Sequence, residues 1–143
     1  MTEQNYSNHR QSVPVFLVVF GILVLTLIGA GVNLYKSFGD HERLYNAALI
    51  LVIVACAIVV QVQSRTYALK AQDRAIRAEE NLRHFVLTGK LLDPKLSVRQ
   101  IIGLRFAADG EYLALCKRAA DDNLSEDDIK KAVKNWRPDT YRA

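Results

Sequence analysis

The chain has 143 residues and a formal net charge of +4, with 50% hydrophobic and 24% charged residues. Its charges are unevenly placed, because residues 11–35 and 44–64 contain no Asp, Glu, Lys or Arg. Uncharged apolar stretches of this length are typical of membrane-spanning helices. Only about 80 residues follow the second stretch, which excludes a large α/β catalytic domain.

The first uncharged stretch predicts a transmembrane helix over residues 13–35, after an N-terminal tail of residues 1–12. A helix of that length extends roughly 34 Å, enough to cross the hydrocarbon core. Ser12 and Pro14 suit the start of a helix, and Lys36 suits its end. Because the stretch is longer than the apolar region of a cleaved signal peptide, we interpret it as a permanent span.

The second uncharged stretch predicts a transmembrane helix over residues 44–63. The external loop of residues 36–43 contains Gly39 and Asp40, which favour a turn, so the two spans are expected to be antiparallel neighbours. Lys and Arg are most frequent after the second span. Since positive residues favour the inner side, both termini are predicted to be cytoplasmic.

The second span is expected to continue as a juxtamembrane stalk helix over residues 64–89. No Pro or Gly interrupts the chain from Leu44 to Thr88, and Gly89 is a typical helix stop. Acid-before-base pairs four residues apart, such as Glu79 with Arg83, favour the helix. Apolar residues spaced alternately by three and four predict a packing seam. These residues are Ala68, Ala71, Ala75, Ala78, Leu82 and Phe85.

Residues 90–143 predict a small cytoplasmic module of three short helices, near 98–108, 110–122 and 126–136. Ser97 with Gln100 resembles a capping box, and Ser125 is a second helix-start signal. The predicted fold class is therefore all-α: a two-helix transmembrane hairpin, a second helix extended into a stalk, and a small bundle. The predicted core of the module is Val98, Ile101, Ile102, Leu104, Phe106, Tyr112, Leu113, Leu115, Cys116, Ala119, Ile129, Val133 and Trp136.

Motifs for catalysis, metal binding or nucleotide binding are not found in the sequence. Cys56 lies in a predicted span and Cys116 in the module, so no disulfide is expected. We expect no enzymatic activity, no cofactor and no nucleic-acid partner. An enzyme hypothesis would have to use stalk and module residues such as Asp73, Arg105 and Asp109.

Small and polar residues of the first span and stalk are interpreted as a helix-packing interface. The alternative is a homo-oligomeric channel lined by the first span, although no selectivity-filter pattern supports it. The predicted interface comprises Gly21, Thr26, Gly29, Asn33, Ala68, Ala71, Ala75 and Ala78.

The part of the chain after the second span is basic, with 16 Lys or Arg against 12 Asp or Glu in residues 65–143. Basic residues close to a membrane interact with anionic lipid. We therefore expect anionic lipid at the cytoplasmic face as a partner.

Three segments, residues 69–83, 96–109 and 124–138, carry a family resemblance. Their distinctive motifs are Gln-Asp-Arg at 72–74, Leu-Arg-Phe-Ala at 104–107 and Asn-Trp-Arg-Pro at 135–138. The chain resembles an uncharacterised family of small bacterial two-span membrane proteins, which carry a domain of unknown function. This resemblance implies a location in the bacterial inner membrane and supplies no catalytic residues.

The distinctive motifs have two interpretations: contacts between an Arg of one element and an acid of another, or a surface that docks a partner. Our leading hypothesis is a non-enzymatic membrane protein that acts as a self-associating scaffold or an accessory subunit. Its partners would be further copies of the chain or another membrane protein. The predicted docking residues are Asp73, Arg74, Arg105, Phe106, Trp136 and Arg137.

Overall fold

A computed structural model describes residues 4–9 and 13–139, and all regular elements in this part are helices. Two long apolar helices are followed by three short ones, which confirms the predicted all-α class. The chain divides into two compact units, Ser12–Ala68 and Met1–Gln11 with Leu69–Ala143. The helices are α1 (Pro14–Lys36), α2 (His41–Thr88), α3 (Val98–Leu104), α4 (Asp109–Asp121) and α5 (Glu126–Ala132).

In the unit Ser12–Ala68, α1 lies beside the first half of α2. The side-chain amide of Gln61 donates to the Phe16 carbonyl oxygen at 3.0 Å, which places the start of α1 next to the middle of α2. The two helices are therefore antiparallel in this unit. Pro14 is the first helical residue, whereas the predicted cap Ser12 lies outside the described residues.

Helix α2 runs without interruption for 48 residues. It begins at His41, earlier than the predicted residue 44, because the Asp40 carboxylate accepts from the Arg43 backbone N–H at 3.2 Å. It ends before Gly89, whose φ of +72° is accessible to glycine at little cost. The Gly89 N–H donates to the Phe85 carbonyl at 2.7 Å, as expected of a helix stop.

Helices α3 and α5 begin where their capping residues predict. Ser97 and Gln100 form the reciprocal capping box of α3, and the Ser125 hydroxyl accepts from the Asp128 N–H at 3.1 Å to start α5. Helix α4 begins at Asp109, after Ala108, without a side-chain cap.

Helices α3 and α5 end earlier than the sequence predicts, at Leu104 instead of 108 and at Ala132 instead of 136. The residues that follow them pair with each other as an isolated antiparallel bridge. The Arg137 N–H donates to the Phe106 carbonyl at 2.7 Å, and the Ala108 N–H donates to the Asn135 carbonyl at 3.0 Å. The paired residues Ala107 and Trp136 therefore lie outside the two helices.

The core of the module lies between α3, α4 and α5 and against one face of α2. Of the predicted core, Leu113 is 38% exposed and Val98 is only partly buried, so neither belongs to the buried cluster. Ile102 and Trp136 pack at its edge. The buried cluster is Ile76, Leu92, Leu96, Ile101, Leu104, Phe106, Ala107, Tyr112, Leu115, Cys116, Ala119, Ile129 and Val133.

Gly103 allows α3 to approach α5 closely. A Cβ atom at this position would lie 3.1 Å from the Glu126 carbonyl oxygen and 3.1 Å from Cγ2 of Ile129. Both distances are tighter than ordinary van der Waals contacts. A side chain at position 103 therefore forces the two helices apart.

We predict that Gly103→Ala lowers the free energy of unfolding by about 1 to 3 kcal/mol, because added volume strains a packed core. The measurement is thermal unfolding of the detergent-solubilised full chain followed by circular dichroism. Gly110→Ala is the control, since a Cβ there meets nothing within 4 Å. Equal melting temperatures for Gly103→Ala and Gly110→Ala would contradict the close contact.

Candidate functional site

A group of interacting charged side chains lies between α2 and the module. We name Glu80, Arg83, Asp109, Tyr112 and Arg137 the Glu80 cluster. The Glu80 side chain is 5% exposed and its Oε2 lies 3.1 Å from Nη1 of Arg83. Its other oxygen lies 3.6 Å from Nη1 of Arg137. The carboxylate is thus neutralised by two guanidinium groups.

Arg83 connects α2 to the start of α4. Its Nε donates to Oδ1 of Asp109 at 2.8 Å, and its Nη2 donates to the Ala107 carbonyl at 2.7 Å. The guanidinium also stacks over the Tyr112 ring, 4.0 Å from the centroid. Burial lowers the pKa of Arg83, but the hydrogen bond to Asp109 and the charge of Glu80 raise it above its ordinary value overall. Arg83 therefore remains a cation within the contact.

Tyr112 and Cys116 form the inner wall of the cluster on α4. The Tyr112 hydroxyl donates to the Glu80 carbonyl oxygen at 3.2 Å, and burial raises the pKa of this phenol. Burial also raises the pKa of the Cys116 thiol to about 12. Since the thiolate is the reactive form, Cys116 is unreactive at neutral pH.

A groove of about 430 Å³ lies beside the cluster, between the end of α2 and α4. Its His84 side chain is held by a 2.8 Å contact between Nδ1 and the Lys90 carbonyl oxygen. The lining residues are His84, Thr88, Lys90, Leu91, Leu92, Asp93, Pro94, Leu113, Cys116, Lys117, Ala120 and Asp121.

The Glu80 cluster joins α2 to the module, and we call this contact the clamp. Each ionised side chain in it already has an opposite charge as a neighbour: Glu80 and Asp109 both pair with Arg83. These pairs hold the charged side chains of the cluster in contacts between α2 and the module. Asp109, which the enzyme hypothesis would use, is engaged in this structural contact.

Of the predicted docking residues, Phe106 was also predicted in the core, and its ring is fully buried there. Arg105 is also buried; its Nε lies 3.2 Å from Asp139 and its guanidinium lies over the Phe106 ring. Trp136 packs on Phe106 with ring centroids 4.9 Å apart. Arg137 is half-exposed and binds Glu80. Arg105 and Arg137 thus each contact an acid of another segment.

The two predicted docking residues of α2 lie apart from Phe106 and Trp136. Arg74 is exposed and Asp73 is partly buried on the stalk portion of α2. The predicted pair of Glu79 with Arg83 is wrong, because Arg83 turns towards Glu80 and Asp109. Neither Arg74 nor Glu79 belongs to an ion pair within residues 4–9 and 13–139.

The small residues predicted as a packing interface are not covered by other residues. In α1, a Cβ at Gly21 or Gly29 would meet nothing within 4 Å, and the Thr26 hydroxyl donates to its own helix at the Ile22 carbonyl. Asn33 is exposed as well. In α2, all four predicted alanines are exposed: Ala68, Ala71, Ala75 and Ala78. The buried apolar residues of the unit Ser12–Ala68 are instead Ala30, Ala47 and Val54.

The N-terminal tail forms a contact that the sequence did not predict. His9 is buried, with its ring centroid 5.8 Å from that of Phe106 and 5.7 Å from that of Trp136. The Tyr6 hydroxyl donates to Asp127 at 2.8 Å. The Gln4 side chain accepts from the Asp139 N–H at 2.7 Å. A tail of six described residues carries no periodic pattern, so these contacts have no signal in the sequence.

We predict that Glu80→Gln lowers the free energy of unfolding by about 2 to 4 kcal/mol, because two guanidinium groups lose a buried counter-charge. Thermal unfolding of the detergent-solubilised full chain measures the effect. Asp73→Asn makes the same chemical change on the same helix outside the cluster and is expected to leave the melting temperature nearly unchanged. Equal losses in both variants would contradict the clamp.

A second prediction concerns alkaline pH. The Cys116 thiol ordinarily loses its proton near 9.0 but keeps it to about 12 when buried, so only the unfolded chain releases this proton between these values. Stability is therefore intact below pH 9 and falls as pH rises above it. Cys116→Ala is expected to show a smaller drop in melting temperature between pH 8 and 10 than the parent chain. An identical drop would contradict a buried thiol.

No curated protein and no solved structure matches the chain. A family profile described as "Family of unknown function (DUF6526)" matches residues 1–143. The match covers the whole sequence and agrees with the resemblance to an uncharacterised family. The chain therefore belongs to the family of unknown function DUF6526.

Proposed function

We propose that this protein is a two-span integral membrane protein of the bacterial inner membrane that acts as a non-enzymatic, self-associating scaffold or accessory subunit. Its spans would be α1 and the first half of α2. The rest of α2 would form a stalk that carries the module into the cytoplasm. The observation that carries this proposal is the single unbroken helix α2, apolar in its first half and clamped to the module in its second.

The exposure of the apolar helices supports a lipid environment. Only 6% of the most apolar stretch of α1 and 11% of that of α2 is buried within the chain. The core helix of a water-soluble protein would instead be covered by other residues. At 1.5 Å per residue α2 is about 72 Å long, whereas the hydrocarbon core is about 30 Å thick. More than half of α2 would therefore extend beyond the bilayer.

The docked N-terminal tail supports a topology with both termini on one side. His9 packs on Phe106 and Trp136 of the module, and Tyr6 bonds to Asp127. Two spans return the chain to the side from which it started, so this contact suits a hairpin. The basic residues that follow the second span favour the cytoplasm for that side. They would also attract anionic lipid at the inner surface.

The geometry supports a scaffold better than an enzyme. The charged residues of the Glu80 cluster are paired with one another, and the thiol of Cys116 is buried with a raised pKa. The stalk portion of α2, in contrast, exposes apolar side chains that the module does not cover, such as Leu82 and Phe85. An exposed apolar surface on an otherwise charged helix is typical of a protein–protein contact.

The proposal is tested with two differently tagged copies of the full chain expressed together in a bacterial host. We expect both copies in the membrane fraction, released by detergent but not by alkaline carbonate. Pull-down through one tag is expected to recover the other copy from detergent. Recovery of the chain in the supernatant would contradict the membrane assignment, and copies that never co-purify, with no other membrane protein bound, would contradict the scaffold.

The topology is tested by single cysteines in a Cys56→Ser background. In spheroplasts we expect a membrane-impermeant maleimide to label Phe38→Cys, which lies in the connection between α1 and α2. Ser7→Cys and Lys134→Cys are expected to react only after the membrane is permeabilised. Labelling of Ser7→Cys and Phe38→Cys from the same side would contradict the two spans.

A further inference from the structure

We infer that the exposed face of the stalk binds the same face of a second copy, as a parallel two-stranded coiled coil in register. We name Ala71, Ala75, Ala78, Leu82 and Phe85 the stalk seam. This inference rests on the proposed function, because it names the partner and the surface through which the scaffold self-associates. The surface is not explained by any contact within the described chain.

The stalk seam lies opposite the face that the module covers. The covered face of α2 is marked by Ile76 and Glu80, which are buried, and by Arg83. At about 100° per residue, the centre of the stalk seam lies roughly 150° around the helix from the centre of that face. The clamp on one face therefore leaves the opposite face open along its whole length.

Large apolar side chains at the far end of the stalk seam are left in water by a single copy. Leu82 is 63% exposed, Phe85 is 50% exposed, and the adjacent Val86 is 74% exposed. The alternating spacing of four and three residues in the stalk seam is the pattern that keeps one apolar stripe facing a partner helix. Burial of these three side chains supplies the driving force, and the alanines allow the two backbones to approach closely.

Charges beside the stalk seam match a second copy in parallel orientation. With Ala75 and Leu82 at heptad position a, Arg74 occupies position g and Glu79 the following position e. In a parallel dimer, a residue at g faces the residue five positions later on the other helix. Arg74 of each copy would then meet Glu79 of its partner, which gives two equivalent ion pairs across the contact.

Arg74 and Glu79 are available for this role. Both are exposed, and within the described ranges no ion pair uses either of them. The parallel orientation follows from the proposed topology, because two copies anchored in one bilayer project their stalks in the same direction. Confinement to the membrane also raises the effective concentration of one copy near another, which a short seam rich in alanine requires.

Site-directed crosslinking tests the register. In a Cys56→Ser background, Ala78→Cys places a thiol in the stalk seam at position d, and Arg77→Cys places one beside it on another face. We expect mild oxidation of native membranes to convert Ala78→Cys to a disulfide-linked dimer at least about five times more completely than Arg77→Cys, because only position d meets its copy across the axis. Equal yields, or a crosslink to a protein of another mass, would overturn the inference.

Charge reversal tests the ion pairs. Arg74→Glu and Glu79→Arg each place like charges opposite one another, and we expect each to weaken association of detergent-solubilised copies roughly three- to ten-fold at low salt. The double variant R74E/E79R restores opposite charges and is expected to recover the affinity of the parent chain. Association is measured by energy transfer between labelled copies. If the double variant is as weak as the single variants, the register is wrong.

The two proposals fail in different ways. If parent copies co-purify but Ala78→Cys does not crosslink preferentially, the scaffold remains and the stalk seam is overturned as its contact surface. If parent copies do not associate in membranes or detergent, self-association itself is overturned, and the inference with it.

Val86→Glu, which adds charge at the edge of the stalk seam far from the clamp, is expected to reduce association without lowering the melting temperature of the module.

Discussion

The buried ion pair between Glu80 and Arg83 is the contact on which the organisation of the second unit depends. A module of about 50 residues has too little core to be stable alone and needs a further surface to cover its apolar side chains. Helix α2 supplies that surface through Ile76, which joins the buried cluster. Because the two charges are buried, they require one arrangement in which each is paired. The clamp therefore selects which face of α2 the module covers.

Because the module covers one face of α2, the opposite face is exposed. The stalk seam, with Leu82 and Phe85, is left without a partner inside the chain. Its exposed apolar side chains and the flanking charges of Arg74 and Glu79 are typical of a helix that packs against a second helix. The contact of α2 with the module and the proposed contact between copies would therefore use opposite faces of the same helix.

The N-terminal tail adds a second constraint. His9 fills a position against Phe106 and Trp136, so the segment before α1 and the segment after α5 meet on the module. The aromatic residues at positions 106 and 136 thus form the surface on which His9 of the tail packs. The aromatic and Arg residues singled out from the sequence are thus used largely inside the chain.

The sequence by itself determined the helical class, the two long apolar helices, and the helix starts at Ser97 and Ser125, because these depend on composition and on residues a few positions apart. It also placed the stop at Gly89, which depends on one local conformation. It did not predict Glu80 as the buried acid or the early ends of α3 and α5. Only the tertiary structure decided these features, because Glu80 differs from Glu79 solely in facing the module, and the bridge between Ala107 and Trp136 joins residues far apart in the chain.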